Sequence, residues 1–232
     1  MMKKSTLLLL LLVNVFFAVK AQTLGMTNKA FDESYDASGK PFAKNPNSNV
    51  EGSEVLNSNW GIGNVKLTRN KTYDSAELQF NIVTQQLSFK KEGTVFAFGD
   101  NVLSFTITYD VNGKSQSVYF KNNYPAFEKQ TNASFYQVLY EGKKYDLLKF
   151  LSKKKEERYE YNQPFKMVYI DEIEWFYFDK SNSQIIPIKR SVIDIQKKCA
   201  NNWETLTAGF QPKNKKHLSE EEMLQLFTML DK

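Results

Sequence analysis

The stretch Phe105-Thr106-Ile107-Thr108-Tyr109-Asp110-Val111-Asn112-Gly113-Lys114-Ser115-Gln116-Ser117-Val118-Tyr119-Phe120 decides the fold. Phe105, Ile107, Tyr109 and Val111 recur at every second position, the period of a strand with one dry face. Asn112-Gly113 is the dipeptide that fills the two left-handed positions of a type I′ turn, and Val118 and Phe120 resume the alternation, so the pattern predicts an antiparallel hairpin. Toward the N-terminus the same period runs through Val65 and Leu67, through Leu78, Phe80 and Ile82, through Leu87 and Phe89, and through Phe96 and Phe98. Toward the C-terminus a loop with Pro125 precedes residues 135–140, the turn Glu141-Gly142-Lys143 and residues 145–151, a second predicted hairpin. Residues 167–170 and 173–178 follow, and Trp175-Phe176-Tyr177-Phe178 is apolar on both faces, as in a covered strand. Residues 179–183 read as a turn and 185–188 as the last strand, with Pro187 favouring a sheet edge.

Beyond residue 189 the period becomes helical. Val192, Ile195, Cys199 and Trp203 share a stripe behind Ser191, a candidate N-cap, with Gly209 and Pro212 as stop signals. Ser219-Glu220-Glu221-Glu222 is a capping box, Leu218 and Met223 can form a hydrophobic staple, and Met223, Leu226, Phe227 and Leu230 make a buried face. Many strands followed by helices, with no internal repeat, predict an α+β fold: a mostly antiparallel β-sheet, a meander or β-roll of about eight to ten strands, then two C-terminal helices. A closed outer-membrane barrel does not fit a chain ending in a polar-faced helix.

Residues 1–21 carry the three parts of a secretory signal: Lys3 and Lys4, an apolar run over 7–18, and Val19-Lys20-Ala21. The run is too short to span a bilayer, so the expectation is export with cleavage between Ala21 and Gln22, into the periplasm or beyond the cell, and a mature chain that does not span the membrane. Residues 22–59, rich in Asn, Ser, Lys and Gly, read as a flexible N-terminal arm. Residues 60–232 then form a single domain, β-rich over 60–189 and helical over 190–232. A chain of 232 residues with 41% hydrophobic and 25% charged side chains is neither collagenous nor wholly disordered. Loss of Lys3, Lys4 and Lys20 takes three positive charges from a formal net charge of +5, which leaves no nucleic-acid footprint.

One cysteine excludes an internal disulfide framework, and one histidine excludes any metal site that needs two. Cys199 and His217 would both be needed for a thiol nucleophile with an imidazole base, but Cys199 lies on the apolar stripe and His217 in the basic linker Lys213-Asn214-Lys215-Lys216. Glu172 and Glu174 share one strand face, as the acids of a glycosidase cleft can, yet they approach from one side and stand beside Asp171, which suits a charged strand entrance. Gly61-Ile62-Gly63 lacks the context of a nucleotide loop and reads as a turn. Lys153-Lys154-Lys155 and Arg158, interleaved with Glu156, Glu157 and Glu160, read as a solvated segment. The run from Lys189 to Lys216 is more one-sided, but no aromatic residues alternate with its lysines as stacking platforms would.

The segments Phe120-Lys121-Asn122-Asn123-Tyr124-Pro125 and Phe135-Tyr136-Gln137-Val138-Leu139-Tyr140-Glu141-Gly142-Lys143, with Leu147-Leu148-Lys149 and Leu218-Ser219-Glu220-Glu221-Glu222, carry a resemblance. The chain resembles a family of uncharacterised secreted proteins of Bacteroidetes-type bacteria, over the body from Trp60 onward. The resemblance implies an envelope or extracellular location and brings no activity, cofactor or catalytic residue. The residues themselves name no cofactor, metal or catalytic group, so the expected function is a non-catalytic binding or structural module of the cell envelope, with another envelope protein, a glycan or a lipid as partner. Two alternatives stay open: a β-roll that holds a lipid or glycan, and a hydrolase using carboxylates such as Glu172 and Glu174.

Overall fold

The computed structural model describes residues 50–232 apart from 57–58, 100–101, 160, 162–164 and 200–202. The signal segment 1–21, the arm as far as residue 49, and Glu160 lie outside the described residues. Eleven described strands form one sheet: β1 (Val50–Glu51), β2 (Gly61–Leu67), β3 (Thr72–Asn81), β4 (Gln86–Lys91), β5 (Thr94–Ala97), β6 (Val102–Val111), β7 (Lys114–Lys121), β8 (Tyr136–Glu141), β9 (Tyr145–Arg158), β10 (Lys166–Asp179) and β11 (Gln184–Ile188). Their order is β1-β10-β9-β8-β7-β6-β2-β3-β4-β5, with β11 also on β10, and every pairing is antiparallel except β1 with β10. Three helices follow, α1 (Val192–Lys198), α2 (Trp203–Leu206) and α3 (Glu220–Leu230). The fold is therefore α+β, an open, mostly antiparallel sheet with helices after it.

The hairpin of β6 and β7 turns as its dipeptide requires. Val111 pairs with Lys114, Asn112 and Gly113 take φ of 53° and 78°, and the Gly113 N–H donates to Asp110 Oδ1 at 2.8 Å. Gly61-Ile62-Gly63 is not the turn its glycines suggest but the start of β2. A Cβ on Gly63 would lie 1.9 Å from the Thr106 carbonyl oxygen and 2.8 Å from Leu78 Cδ1, so the glycine serves close approach of backbones. The charged run Lys153-Lys154-Lys155 with Arg158 is the far half of β9; it pairs with β10 as far as Arg158 opposite Lys166, and most of it is exposed. Asp171, Glu172 and Glu174 thus lie in the middle of β10 and not at its entrance.

Residues 50–56 connect two distant parts of the sheet. After β1 pairs with Met167 and Val168, the Leu56 N–H donates to the Phe80 carbonyl at 2.8 Å and the Ile82 N–H to that of Glu54 at 3.0 Å. The Glu54 carboxylate accepts from Asn81 Nδ2 at 3.1 Å and from the Tyr169 hydroxyl. The described end of the segment grouped with the arm is therefore paired with the body.

Both faces of the sheet are covered where the near half of β9 meets the end of β10 and β11. Leu147, Tyr177 and Ile188 pack against Ile195, Cys199, Trp203, Met223, Phe227 and Leu230 of the helical region, while Tyr136, Leu148, Phe150, Phe176 and Ile185 pack under Tyr124 and Phe127 of the β7–β8 connection. This explains the unbroken run from Trp175 to Phe178. Farther along the sheet, Phe80, Phe105, Phe120 and Phe135 meet at ring-centroid distances of 5.0 to 5.8 Å.

The stripe read as one helix is split between α1 and α2, with Cys199 as the C-cap of α1. Ser191 sits at the N-cap but makes no side-chain capping bond; Val192 instead donates its N–H to the Lys215 carbonyl at 3.0 Å. The capping box of α3 is complete, with Glu222 N–H donating to Ser219 Oγ at 3.1 Å and Ser219 N–H to Glu222 Oε2 at 2.7 Å.

Candidate functional site

The outer edge of β10 carries β1 over Met167 and Val168 and β11 over residues 175–179. Among the described residues no strand pairs with the stretch between them, 169–174. Alternate residues of such a stretch turn their N–H and C=O groups outward, ready for a further strand. Beside it lies a groove of about 380 Å³, lined by Glu128, Lys129, Gln130, Glu172, Ile173 and Glu174.

One wall is β10 and the other a tight turn in the β7–β8 connection. Phe127 and Gln130 exchange backbone hydrogen bonds of 3.0 and 2.9 Å, which places Glu128, with φ of 49°, and Lys129 at the tip. Phe127 anchors this turn on the sheet, its ring 5.6 Å from that of Phe176. Gln130 is only 4% exposed; its Nε2 donates to Glu174 Oε1 at 3.1 Å, while its Oε1 accepts no bond from any described residue. A buried amide oxygen without a donor is costly and marks a place where a donor is wanted. The hydroxyl of Tyr136, also buried and unpartnered among the described residues, is pushed to high pKa by burial and then by the Glu174 carboxylate.

No protein-family model, curated protein or solved structure matches this chain. The site is therefore read from its own geometry. Glu172 and Glu174 do share one face and line one groove, as the spacing predicts, with Glu172 3.3 Å from Lys154 Nζ. Asp171, on the opposite face, pairs with Lys153 at 3.2 Å. A third carboxylate, Glu128, stands on the facing wall, and no aromatic ring on which a sugar could stack is among the described lining residues.

The structure separates the other candidates. Cys199 is buried among Tyr177, Ile195 and Trp203, and burial pushes its thiol up to about 11, far from a nucleophile's range. His217 is exposed and its Nε2 accepts from Arg190 Nη2 at 2.7 Å. Within the basic run, Lys198 is engaged by Asp194 at 3.0 Å and by the Pro187 carbonyl at 2.6 Å. Among the described residues no group of three His, Cys, Asp or Glu is placed to hold a metal, and no helix is long and apolar enough to cross a membrane.

Two polar clusters escape sequence reading. Asp146, 1% exposed, accepts from the Tyr124 hydroxyl at 3.1 Å and pairs with Lys180 Nζ at 2.8 Å. Burial, and next the Asp146 charge, drive the Tyr124 hydroxyl to very high pKa, so it stays a donor. Lys180 also donates to the Gly142 carbonyl at 2.6 Å, which makes this cluster a tie between β9, β10 and the β8–β9 turn. The second is Gln130, whose partner Glu174 lies 44 residues away along the chain.

Proposed function

We propose that this protein is exported and acts by contact, as a non-catalytic binding module of the cell envelope. The observation that carries the reading is the stretch of β10 between β1 and β11, which pairs with no strand among the described residues, with its groove: a place to hold a partner, whose described lining holds no serine, threonine, cysteine or histidine. Glu174 is tied to Gln130 and Glu172 to Lys154, as structural and recognition groups are. The basic start, short apolar run and Val19-Lys20-Ala21 exit support export with cleavage after Ala21, and the resemblance to secreted bacterial proteins agrees with it.

A photo-crosslinking residue in place of Ile173, compared with one in place of the exposed Asp110, tests the reading in intact cells. A discrete adduct from position 173 alone is expected. Turnover of a glycan, ester or peptide substrate by the purified protein, lost in Glu172→Gln or Glu174→Gln, would overturn it. Intact mass of the protein from the envelope checks export, since a mass that includes residues 1–21 contradicts cleavage. The second reading, a roll that holds a lipid or glycan, draws on a groove of about 340 Å³ on the far side of the same turn, whose lining includes Leu87, Phe98, Val102 and Phe135. Saturable uptake of a fluorescent fatty acid displaced by Phe98→Trp would favour it.

A further inference from the structure

We infer that the open stretch of β10 receives an extended peptide segment with basic side chains at alternate positions, added as a strand between β1 and β11. The inference rests on the reading of the chain as a contact module and names the chemistry of what it contacts. β10 already accepts one parallel and one antiparallel strand on this same edge, and Gly52, just past β1, lies against Tyr169, so the five residues 170–174 are held extended by neighbours at both ends. A segment of that length spans about 17 Å and satisfies the outward backbone groups of β10.

The side-chain chemistry selects the segment. Side chains of an added strand at alternate positions on one face stand beside Glu172 and Glu174, with Glu128 on the facing wall, against which Lys129 at the exposed tip is the one cation among the described lining residues. The Lys154 contact occupies Glu172 Oε1 and the Gln130 amide occupies Glu174 Oε1, which leaves each carboxylate a second oxygen. Gln130 Oε1, an acceptor without a donor among the described residues, takes a hydrogen bond from an ammonium or guanidinium. On the other face Ile173, 54% exposed, offers an apolar contact, so the matching pattern is basic, apolar, basic. A second copy of the chain is a poor occupant, because edge-to-edge pairing of this stretch with itself would set Asp171, Glu172 and Glu174 against like charges.

The test is fluorescence anisotropy with the purified protein and a labelled hexapeptide of alternating arginine and valine, with hydrogen exchange read in parallel. Saturable one-to-one binding is expected, together with slowed exchange of the amides in 170–174. N-methylation of alternate peptide amides should abolish binding, the Glu172→Gln/Glu174→Gln double variant should weaken it about tenfold, and Glu172→Lys/Glu174→Lys should transfer preference to an alternating glutamate–valine peptide. Binding that tolerates N-methylation, or no binding at millimolar peptide, would overturn the inference. So would protection of these amides in the free protein that disappears on dilution, which assigns the edge to a second copy, or on removal of residues 22–49, which assigns it to this chain's own arm. A crosslinked partner at another surface, with the edge silent, would sink this inference and leave the contact-module reading standing.

Discussion

Asp231 closes α3, and its carboxylate is held by the turn between β8 and β9: the N–H groups of Lys143, Lys144 and Tyr145 donate to it at 2.7, 2.6 and 3.1 Å. Gly142 makes room for it, since a Cβ there would lie 2.5 Å from Asp231 Oδ1. Replacing Asp231 by alanine removes all three bonds. A hydrogen bond to a charged group is worth about 1.5–3 kcal/mol, but the N–H groups of Lys143 and Lys144 are exposed and turn to water, so the partly buried Tyr145 bond dominates. The expected loss is about 2–3 kcal/mol, and about half of that for Asp231→Asn, which keeps an acceptor and loses the charge. Equilibrium urea unfolding followed by tryptophan fluorescence reads it, because Trp203 and Trp175 belong to the core that α3 covers. The pH dependence has a definite sign. Burial pushes the Asp231 carboxyl up, but the three backbone N–H groups and the Tyr140 hydroxyl outweigh burial and hold it below the usual range. A lowered folded-state value gives stability that is present above the unfolded value, near pH 4, and is lost as pH falls through the folded one. The gap between the parent and Asp231→Asn should therefore close below about pH 4. A loss under about 0.5 kcal/mol for Asp231→Ala at unchanged denaturant slope, or a gap that persists undiminished in acid, would refute this account of how the last helix is held.

Ser219→Ala breaks one half of the α3 capping box and should cost about 1 kcal/mol in the same urea titration; an unchanged midpoint would show the cap to be idle. Gly63→Ala puts a methyl group against the Thr106 carbonyl and should cost about 2–3 kcal/mol, read as a lowered thermal midpoint, with no change if β2 and β6 were free to separate. Cys199 should resist a thiol-reactive dye in the native protein at pH 8 and react fully in urea, because burial holds the thiol near 11; rapid native labelling would contradict its place in the core.

What could be read from the chain was what neighbours in sequence determine. The alternation from Phe105 to Val111 and the Asn112-Gly113 turn are settled within a few residues, as are Ser219 and Glu222, and each took its expected form. Elements whose cause is remote were missed. β1 has two residues and no period; it is a strand only because β10 lies beside it. The far half of β9 is polar on both faces, so periodicity had nothing to register, and its pairing comes from the length of the hairpin. Gly61 and Gly63 carry the local mark of a turn, while their true reason, the closeness of β6, is invisible along the chain. At the candidate site the shared face of Glu172 and Glu174 was legible from strand alternation. Gln130 and Glu128 were not, because a turn more than forty residues upstream delivers them.

The position of β1 orders events in time. Val50 and Glu51 leave the ribosome early, yet the partners that make them a strand, Met167 and Val168, are synthesised after nearly the whole sheet. The hairpins from β3 to β9 can pair as they emerge, each with a neighbour already made, whereas the first strand must wait unpaired for β10. Sheet closure across residues 50–56 is then a late, slow, long-range step, because closing so long a loop costs chain entropy before any contact repays it. The chain that has not yet made β10 has no seat for its first strand, and stays more open until its last third has appeared.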